Sequence, residues 1–334
     1  MRFLVVTQKI DANDRNLGFF VSWIKKFAEK GEVTVIANEV GVYVPLPKVT
    51  VFSLQKEQGA SRIARFFRYQ KFLISALKNA DGVFFHMCPE YVLGAHLLPL
   101  LYGKKSVLWY VHKEVSWRLR ISVLFVNKVF TASKESFRLA SKKVEVVGHG
   151  IPTDVFSGTE RVPNKLHLVT VGRVAPVKDL ETLVRALMEI KKTIPDTEFS
   201  IIGEPITERD RQYQARLAAM APEARFNSLP YGSVFSPLHP YTVFIHASKT
   251  GSMDKAVLEA LFAGLPVFTS SEAFRDAIPG ITKFKEGDPS DLAQKLMQAF
   301  TRGEIVYTST GREWVREHHN LDRLIARILS FFTL

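Results

Sequence analysis

The sequence predicts an α/β protein made of two Rossmann-like, doubly wound domains. Strand-like and helix-like segments alternate in two separate series, as in parallel sheets that are covered by helices. The chain of 334 residues suits two domains of about 150 residues each. Between the two series, residues 143–156 interrupt the alternation with Gly148, Gly150 and Pro152, which are typical of a connection.

The first series is expected to form a domain over residues 1–150. RFLVVT (2–7) predicts a strand, and the amphipathic segment 17–31 predicts a helix that ends at Gly31. Further strands are predicted, in order, at residues 32–38, 81–87, 106–112 and 128–133. Helical patterns lie between several of them.

The second series is expected to form a domain over residues 151–311. Its elements, in order, are a strand at 166–174, a helix from Asp179, a strand at 198–204, a helix around 208–221, a strand at 242–248, a helix from about Lys255 and a strand at 265–270. A last helical pattern predicts a C-terminal helix over residues 312–334 that packs back toward the first domain. Ligands of such sheets bind beyond the carboxyl ends of the strands, so the cleft between two facing domains is the expected site.

Composition limits the class of protein. Apolar residues make up 46% of the chain, and no apolar run reaches the ~18 residues of a membrane-spanning helix. The start, MRFLVVTQK, resembles a strand more than a secretion signal. Cys88 is the only cysteine, which excludes a disulfide framework, and it is expected to be a buried, inert thiol. A cytosolic compartment fits these features.

The net charge of +12 lies entirely in the first half of the chain. Residues 1–150 contain 23 Lys and Arg against 11 Asp and Glu, whereas residues 151–334 contain 22 of each kind. This asymmetry indicates a polyanionic partner, which would be nucleic acid, an anionic membrane surface or a phosphorylated substrate. A solvated basic surface without a partner is the alternative.

The first of three strand-to-helix junctions with candidate chemistry spans residues 169–187. A strand ends at Gly172, Arg173 follows it, and Lys178 precedes a helix that starts near Asp179. Two cations beside the N–H groups of a helix N-terminus make an anion site. Alternatively, both cations are solvated and Asp179 is only an N-cap.

The second junction is SKTGSMDKAVLEALFAGLPVF, residues 248–268. Gly251 permits close backbone approach, Ser252 and its neighbours offer hydroxyl groups, and a helix starts near Lys255. Glu259 would project about one turn into this helix, where a buried carboxylate could hold a diol such as a ribose. Alternatively, Asp254 caps the helix and Glu259 pairs with a neighbouring lysine.

The third junction, residues 6–20, leads from the first strand through Gly18 into a helix. This is the usual phosphate-side corner of a doubly wound domain. It lacks the G-x-G-x-x-G pattern, which counts against a dehydrogenase, and the chain also lacks a P-loop.

These segments resemble a known family. VGRVAPVKDLETLVRAL (171–187) and SKTGSMDKAVLEALFAGLPV (248–267) look like the retaining GT-B glycosyltransferases of glycosyltransferase family 4, the glycosyl transferases group 1. VVGHGIPTDVF (146–156) resembles the family's N-G-[IV]-D-x-x-x-F segment, with His149 in place of Asn and Thr153 near the usual Asp. The resemblance extends over residues 143–270 and is weak in the first domain.

The resemblance implies a GT-B fold with a central cleft and the transfer of a hexosyl group from a nucleotide sugar. Arg173 and Lys178 match the basic pair that binds the donor diphosphate. Glu259 matches the second carboxylate of the family's E-x7-E motif, which holds the donor ribose. Gly251, followed by Ser252, stands where the first carboxylate normally contacts the donor sugar.

The family pattern leaves four further residues as candidates. Either Asp254 reaches the space of the missing carboxylate, or Lys255 contacts sugar or phosphate. His112, in LWYVHKEVSW, is similar to the family's active-site histidine, with a structural histidine as the alternative. Gly18 matches the N-terminal glycine-rich loop, which usually has two glycines.

The implied reaction needs no cofactor besides the nucleotide-sugar substrate. No D-x-D metal motif is present, so no metal is expected. Arg173, Lys178 and helix N-termini would stabilise the leaving diphosphate instead. UDP is the expected nucleotide from its frequency in the family, with GDP as the alternative. IIGEPITERD (201–210) and RFNSLPYGSVF (225–235) are candidate base-side loops.

The basic half suggests where the acceptor lies. Residues 61–79 predict a helix that packs on the sheet through one face, with Ile63, Phe66, Phe67, Leu73, Ile74 and Leu77. The other face is expected to contact an anionic membrane through Arg62, Arg65, Arg68, Lys71 and Phe72. This predicts a cytoplasmic enzyme of polysaccharide biosynthesis, peripheral on the inner face of the cytoplasmic membrane, with a glycan or polyprenyl-linked acceptor.

Two other classes of protein stay open. A nucleic-acid-binding protein would also explain the basic half, but no groove-reading element or RNA module is recognisable, so no nucleic-acid partner is expected. An inactive nucleotide-sugar-binding protein or a GT-B-like epimerase could share the second-domain motifs. The glycine at position 251 keeps the inactive protein open as an alternative.

Overall fold

The computed structural model describes residues 1–14, 16–153, 165–229, 234–235, 241–274, 277–307 and 309–333. These residues form two compact units, which are described separately. The N-terminal unit comprises Met1–Pro152 and Asn320–Leu334, and the C-terminal unit comprises Thr153–His319. Of the sequence segments quoted above, residues 154–156 and 230–233 lie outside the described residues.

Within the described residues, seven strands form the parallel sheet of the N-terminal unit. They are β1 (Arg2–Ile10), β2 (Glu32–Val40), β3 (Val49–Ser53), β4 (Gly82–His86), β5 (Lys105–Trp109), β6 (Lys128–Thr131) and β7 (Val144–Val146). Their order is β3-β2-β1-β4-β5-β6-β7, so the chain starts near the centre and winds outward in both directions. Sequence patterns do not predict β3 and β7, because both strands are short and incompletely buried.

Helices cover both faces of this sheet. They are α1 (Phe20–Lys30), α2 (Arg62–Leu77), α3 (Pro89–Ala95), α4 (Leu98–Leu101) and α5 (Trp117–Phe125). On one face, Trp23 and Phe27 of α1 pack with Phe84 of β4. On the other face, Leu73 of α2 and Leu119 of α5 share a second core with the alternate strand residues.

Helix α2 packs on the sheet through only part of the side that its sequence predicts, namely Leu73 and Leu77. Tyr69, Leu73 and Leu77, which recur every four residues, are buried. Ile63 and Phe67 are 71% and 66% exposed, so the prediction that they pack on the sheet is wrong. The apolar arc of the helix is wider than its contact with the sheet, and residue spacing alone does not indicate which part is covered.

The predicted cationic side of α2 is partly covered as well. Arg62 and Lys71 are exposed, whereas Arg65, Arg68 and Phe72 are half-buried. The Arg65 guanidinium donates to an asparagine side chain of β2 at 2.7 Å. The Phe72 ring stacks on a phenylalanine of β3, with centroids 4.7 Å apart. The packing of these two residues and of Arg68 does not fit the predicted membrane contact, and it leaves Arg62 and Lys71 as the exposed members of that set.

The C-terminal unit contains a second doubly wound sheet, for which the described residues give six parallel strands. They are β8 (His167–Val171), β9 (Glu198–Ile202), β10 (Arg225–Asn227), β11 (Val243–His246), β12 (Val267–Thr269) and β13 (Ile281–Lys283). The order is β10-β9-β8-β11-β12-β13. Its helices are α6 (Leu180–Ile190), α7 (Glu208–Met220), α8 (Lys255–Phe262), α9 (Pro289–Thr301) and α10 (Ser309–His319).

The C-terminal helical pattern forms two helices where the sequence predicts one. Helix α10 ends at His319, and α11 (Leu321–Thr333) follows after Asn320. The Asn320 side chain accepts the N–H of Arg323 at 3.0 Å, which is the bond of an N-cap, and so starts a new helix. Helix α11 adds Leu324 and Ile328 to the core around α1 in the N-terminal unit. No helix in the described ranges is both long and apolar enough to cross a membrane.

Candidate functional site

The two predicted junctions of the C-terminal unit lie side by side at the carboxyl edge of its sheet. Strands β8 and β11 are neighbours, and they end at Val171 and His246. The winding direction reverses between them, because β9 lies outside β8 on one side and β12 lies outside β11 on the other. Such a reversal opens the crevice in which doubly wound sheets bind ligands. The loops 172–179 and 247–254 therefore border the candidate site.

The first loop is shaped by a close approach of two strand ends. Gly203 has a φ of +147°, and a Cβ on it would lie 2.0 Å from the carbonyl oxygen of Gly172, so the contact requires glycine. The Lys178 side chain returns across Gly172, with its Cε 3.5 Å from where a Cβ of that residue would stand. Arg173 is exposed beside it. The fold thus places the Lys178 stem over the end of β8.

A carboxylate joins the two loops. Lys178 Nζ lies 2.7 Å from Asp254 Oδ2, and His246 Nε2 lies 2.7 Å from the same oxygen. On the other side of the imidazole, Nδ1 is 2.9 Å from Thr269 Oγ1, which also accepts the N–H of Ser271 at 3.1 Å. The Thr269 hydroxyl can therefore donate to Nδ1 while a neutral His246 donates its Nε2–H to Asp254.

The charges in this group perturb one another. Burial alone would raise the pKa of Asp254, but the charge of Lys178 and the hydrogen bond from His246 outweigh it and hold that pKa well below its usual range. Burial lowers the pKa of His246, and the bonded carboxylate offsets this only in part. At pH 7 we therefore assign an anionic Asp254 and a neutral His246. The Asp254 side chain makes no capping bond to α8, so the interpretation of Asp254 as a simple N-cap is wrong.

Further contacts brace the same two loops. The Lys249 ammonium lies 3.1 Å from Asp179 Oδ2, and the Lys249 N–H donates to the carbonyl of Val177 at 2.9 Å. Asp179 has a left-handed φ of +47°, and its carboxylate also accepts the hydroxyl of Thr182 at 2.9 Å. Its side chain makes no capping bond to α6 and instead links the two loops.

Lys255 and Glu259 lie one turn apart on α8, and their charged ends are buried. Lys255 Nζ is shielded from solvent, and Glu259 is only 6% exposed. Burial lowers the pKa of Lys255 to about 7, although the charge of Glu259 opposes this shift. The structure thus contains the predicted carboxylate in the first turns of α8, together with the predicted interaction of Glu259 with a neighbouring lysine.

Gly251 sits in a backbone conformation that disfavours any side chain. It is buried and has a φ of +64°, where L-residues rarely lie. Hydroxyls flank it: Ser248 Oγ lies 3.0 Å from Thr250 Oγ1, and the Ser252 hydroxyl donates to the same Thr250 oxygen at 3.4 Å. The loop therefore keeps its hydroxyl groups, and its nearest carboxylate comes three residues later, from Asp254.

The two candidate residues of the N-terminal unit are described within that unit alone. Gly18 is buried in the turn after β1, and a Cβ on it would lie 2.5 Å from the carbonyl oxygen of Asp14. The turn therefore requires glycine for its own geometry. His112 is exposed three residues after β5, and its Nδ1 accepts the N–H of Glu114 at 3.1 Å. The roles of Gly18 and His112 toward a donor stay predictions.

Sequence patterns miss several polar residues of these strand ends, above all His246. It occupies the last position of an otherwise apolar strand, and a polar residue in that position was the available signal. His86 ends β4 in the same way, with its Nδ1 3.0 Å from the hydroxyl of Thr7 and its ring stacked on a phenylalanine of α1 at 3.8 Å. Thr269 and Lys249 carried no comparable signal, because their partners are distant in sequence.

Sequence comparison finds a family model within the C-terminal unit and distant relatives of the chain. Residues 165–302 match the family model described as "Glycosyl transferases group 1". The GtfA subunit of UDP-N-acetylglucosamine–peptide N-acetylglucosaminyltransferase from Streptococcus agalactiae is 22% identical over 238 residues, 67% of this chain and 46% of that protein. The GPI3 subunit of phosphatidylinositol N-acetylglucosaminyltransferase from Saccharomyces cerevisiae is 24% identical over 190 residues, 54% of this chain and 42% of that protein. The chain thus spans less than half the length of the curated relatives it matches.

Solved structures with a similar fold match almost the whole chain. Anabaena HepE in complex with UDP and glucose has a TM-score of 0.75 and 13% identity, with 99% of both chains covered. Sucrose-phosphate synthase from Thermosynechococcus elongatus has a TM-score of 0.77 and 14% identity, covering 100% of this chain and 98% of its own. The lipopolysaccharide outer core galactosyltransferase WaaB has a TM-score of 0.68 and 14% identity, with both chains fully covered. The chain has the GT-B fold, and the predicted α/β class with two doubly wound domains is confirmed.

Proposed function

We propose that this protein is a glycosyltransferase that uses a nucleoside-diphosphate sugar as its donor. The observation that carries the proposal is the Lys178–Asp254 pair at the strand reversal of the C-terminal unit, followed on α8 by the buried carboxylate Glu259. These residues lie within the segment that matches the glycosyl transferases group 1 model. A cation suits a diphosphate, and a buried carboxylate suits the diol of a ribose.

The roles follow from the charges of the loops. Arg173 and Lys178 bind the diphosphate, and Glu259 accepts hydrogen bonds from the ribose hydroxyls. Lys178 is already bonded to Asp254, but an ammonium has three N–H donors, so it can serve the carboxylate and the diphosphate together. Asp254 replaces the carboxylate that the family has at position 251, and Lys255 adds positive charge beside it.

The proposed reaction is metal-independent and retains the configuration of the sugar, as in glycosyltransferase family 4. The bond between the anomeric carbon and the diphosphate oxygen breaks, and its electron pair stays on the diphosphate. The acceptor hydroxyl oxygen bonds to the anomeric carbon on the same face, and its proton passes to the leaving phosphate oxygen. Arg173 and Lys178 stabilise the negative charge that develops on this leaving group.

UDP is the proposed nucleotide, and a hexose is the proposed sugar. HepE has been solved with UDP-glucose, and the S. agalactiae relative is named for UDP-N-acetylglucosamine. A GDP-sugar is the alternative donor. The proposed acceptor is a glycan or polyprenyl-linked lipid of polysaccharide biosynthesis. The protein would then work as a peripheral protein on the inner face of the cytoplasmic membrane, which suits its basic first half.

A thermal-shift panel of UDP, GDP, ADP and their sugars tests the donor assignment. A nucleotide present at 100 times its dissociation constant stabilises the folded protein by about 2.7 kcal/mol. We expect UDP and a UDP-sugar to raise the unfolding temperature, and ADP to leave it unchanged. If no nucleotide raises it, the donor site is refuted.

A pair of matched variants tests whether Glu259 binds the donor ribose. Glu259→Gln keeps the size of the side chain but removes the charge, so it should weaken UDP binding at least tenfold. Glu198→Gln is the control, because it makes the same exchange at a half-buried glutamate that pairs with Arg225 at the opposite end of the strands. Equal UDP affinity of the two variants would remove the ribose role.

Release of nucleoside diphosphate separates the enzyme from its alternatives. A transferase releases UDP from the correct UDP-sugar when an acceptor is present. An inactive sugar-nucleotide-binding protein would be stabilised by the donor without releasing UDP. A GT-B-like epimerase would change the stereochemistry of the sugar without any acceptor, which NMR of the recovered sugar detects.

A further inference from the structure

Helices α2, α3, α4 and α5 form one layer over a single face of the N-terminal sheet. Helix α2 is joined to α3 by the Tyr69 hydroxyl, which donates to the carbonyl of Tyr91 at 2.7 Å. Helix α5 is joined to α3 by the Ser122 hydroxyl, which donates to the carbonyl of Pro89 at 2.9 Å. Because the inner sides of these helices fill the core beneath them, their outer sides point away from the sheet.

The outer side of this layer carries large apolar side chains that are 61–75% exposed. We define the outer apolar face by six of them: Ile63 and Phe67 of α2, Leu100 and Leu101 of α4, and Trp117 and Leu124 of α5. Single exposed apolar residues are ordinary on protein surfaces. Three helices of one layer that each expose two such residues indicate a surface that associates with something.

The same layer is strongly basic. Its four helices contain six Lys and Arg but only one acidic residue, Glu90 of α3, a net charge of +5. Helices α2 and α5 contain no acidic residue. Arg62, Lys71 and Arg120 are exposed on these two helices, and the Arg118 guanidinium lies 5.1 Å from the ring centre of Trp117. The cations therefore stand among the exposed apolar side chains.

We propose that the outer apolar face docks onto an anionic lipid bilayer. Aliphatic and aromatic side chains would enter the interfacial region, and the surrounding cations would pair with anionic headgroups. Trp117 with Arg118 fits the boundary itself, where one end of a side chain is apolar and the other is wet. A protein partner is less well matched, because protein interfaces are usually depleted in lysine and carry complementary charges of both signs.

This inference deepens the proposed function, on which its biological purpose rests, since it gives the membrane partner a defined surface. It replaces the prediction that α2 contacts the membrane through Arg62, Arg65, Arg68, Lys71 and Phe72. Only Arg62 and Lys71 of that set lie on the exposed side of the helix, where Ile63 and Phe67 accompany them.

Vesicle flotation of the purified full chain tests the inference without any turnover. We expect the protein to float with vesicles of phosphatidylcholine that contain about a third phosphatidylglycerol, and to float much less with pure phosphatidylcholine. Each basic residue near an anionic surface contributes about a fivefold gain in the membrane partition coefficient, so Arg62→Gln with Lys71→Gln should reduce that coefficient at least tenfold. Phe67→Ser with Leu124→Ser should reduce it similarly.

Matched variants on the opposite side of the unit are the controls. Val44→Ser removes a side chain that is 77% exposed, in a segment whose neighbours Tyr43 and Leu46 pack on the α1 core. Lys25→Gln with Lys30→Gln removes two exposed charges from α1 itself. These variants should float like the wild type. All exchanged residues are exposed, so thermal unfolding should stay unchanged in every variant.

Several outcomes overturn the inference. They are no flotation, equal flotation with neutral and anionic vesicles, and equal losses in the outer-face and control variants. Concentration-dependent dimerisation that the outer-face variants abolish, without flotation, would assign the face to a second copy of the chain instead. A protein that UDP stabilises but that does not float refutes the docking face and leaves the donor site standing. A protein that floats but that no nucleotide stabilises refutes the donor site and leaves the docking face standing.

Discussion

Replacing Asp254 with asparagine changes one charge in a group of three side chains. The carboxylate Oδ2 lies 2.7 Å from both Lys178 Nζ and His246 Nε2. Asparagine keeps the size of the side chain and can still accept one hydrogen bond. It leaves the Lys178 ammonium, whose side chain is only 20% exposed, without its counter-charge. We therefore expect Asp254→Asn to destabilise the C-terminal unit.

The exposure of the Lys178–Asp254 pair sets the magnitude of the expected loss of stability. Breaking a fully buried ion pair costs about 3–5 kcal/mol, whereas an exposed pair contributes about 0–1 kcal/mol. The two side chains are 20% and 19% exposed, so an intermediate value applies. We expect a loss of about 2 kcal/mol at pH 7. For a unit of this size, that lowers the unfolding temperature by about 4–8 °C.

The loss should also depend on pH. The pKa of Asp254 is held below its usual range, so its stabilising contribution is present at neutral pH. The contribution begins to be lost below about pH 4, where the unfolded carboxyl takes up a proton and the folded one does not. Wild type and Asp254→Asn should therefore differ most between pH 5 and 8, and less at pH 3.

Scanning calorimetry of the full chain measures this effect, because it can resolve separate transitions of two units. Asp196→Asn is the control, since Asp196 is exposed and its exchange changes the same charge. If Asp254→Asn is as stable as Asp196→Asn at pH 7, the Lys178–Asp254 pair contributes nothing and the reasoning fails. A difference that does not shrink at pH 3 would show that the effect is steric rather than electrostatic.

Three further predictions concern the same two loops. Lys178→Met should raise the dissociation constant of UDP at least tenfold in titration calorimetry, because a hydrogen bond to a charged group contributes about 1.5–3 kcal/mol, while uridine binding stays unchanged. An equal loss for uridine would contradict a role at the diphosphate. Burial lowers the pKa of Lys255 to about 7, so its charge and the affinity for UDP-glucose should fall as the pH rises from 6 to 8.5. Lys255→Met should remove this slope, and a variant that keeps it would exclude Lys255 as its source. Gly251→Ala should lower the free energy of unfolding by about 1 kcal/mol and Gly251→Asn by less, since asparagine tolerates a left-handed φ. Urea denaturation measures both, and an alanine variant as stable as the wild type would contradict the strain.

The fold and half of the site could be predicted because their signals are local. Apolar strands and amphipathic helices can be read within ten to fifteen residues, and Glu259 is placed by its distance from the start of one helix. The strand order then brings the two junctions together without further information, since neighbouring parallel strands end at one edge. The GT-B resemblance depended on the same local segments.

The remaining features depend on contacts between residues far apart in sequence. Lys178 and Asp254 are 76 positions apart, so no spacing rule pairs them. The covered side of α2 depends on where the sheet lies. The apolar arc of the helix is wide enough to pack on the sheet in more than one orientation. His246 acquires its role only when β12 places Thr269 beside it. Sequence patterns identify which groups stand at a strand end, but they do not identify the partners of those groups.

The glycine at position 251 and the group around Asp254 have one physical explanation. A carboxylate at 251 would need a left-handed backbone, whereas Asp254 has φ −76° and ψ 129°, which any residue adopts. At position 254, three residues further along the loop, the carboxylate also lies within hydrogen-bond distance of Lys178. A mostly buried anion there needs more than one partner, and His246 supplies the second. In the proposed function, the Lys178 ammonium is thus partly neutralised by Asp254 before a donor binds. The proposed diphosphate site would therefore depend on the exposed Arg173, and on Lys255 in its protonated form, for additional positive charge.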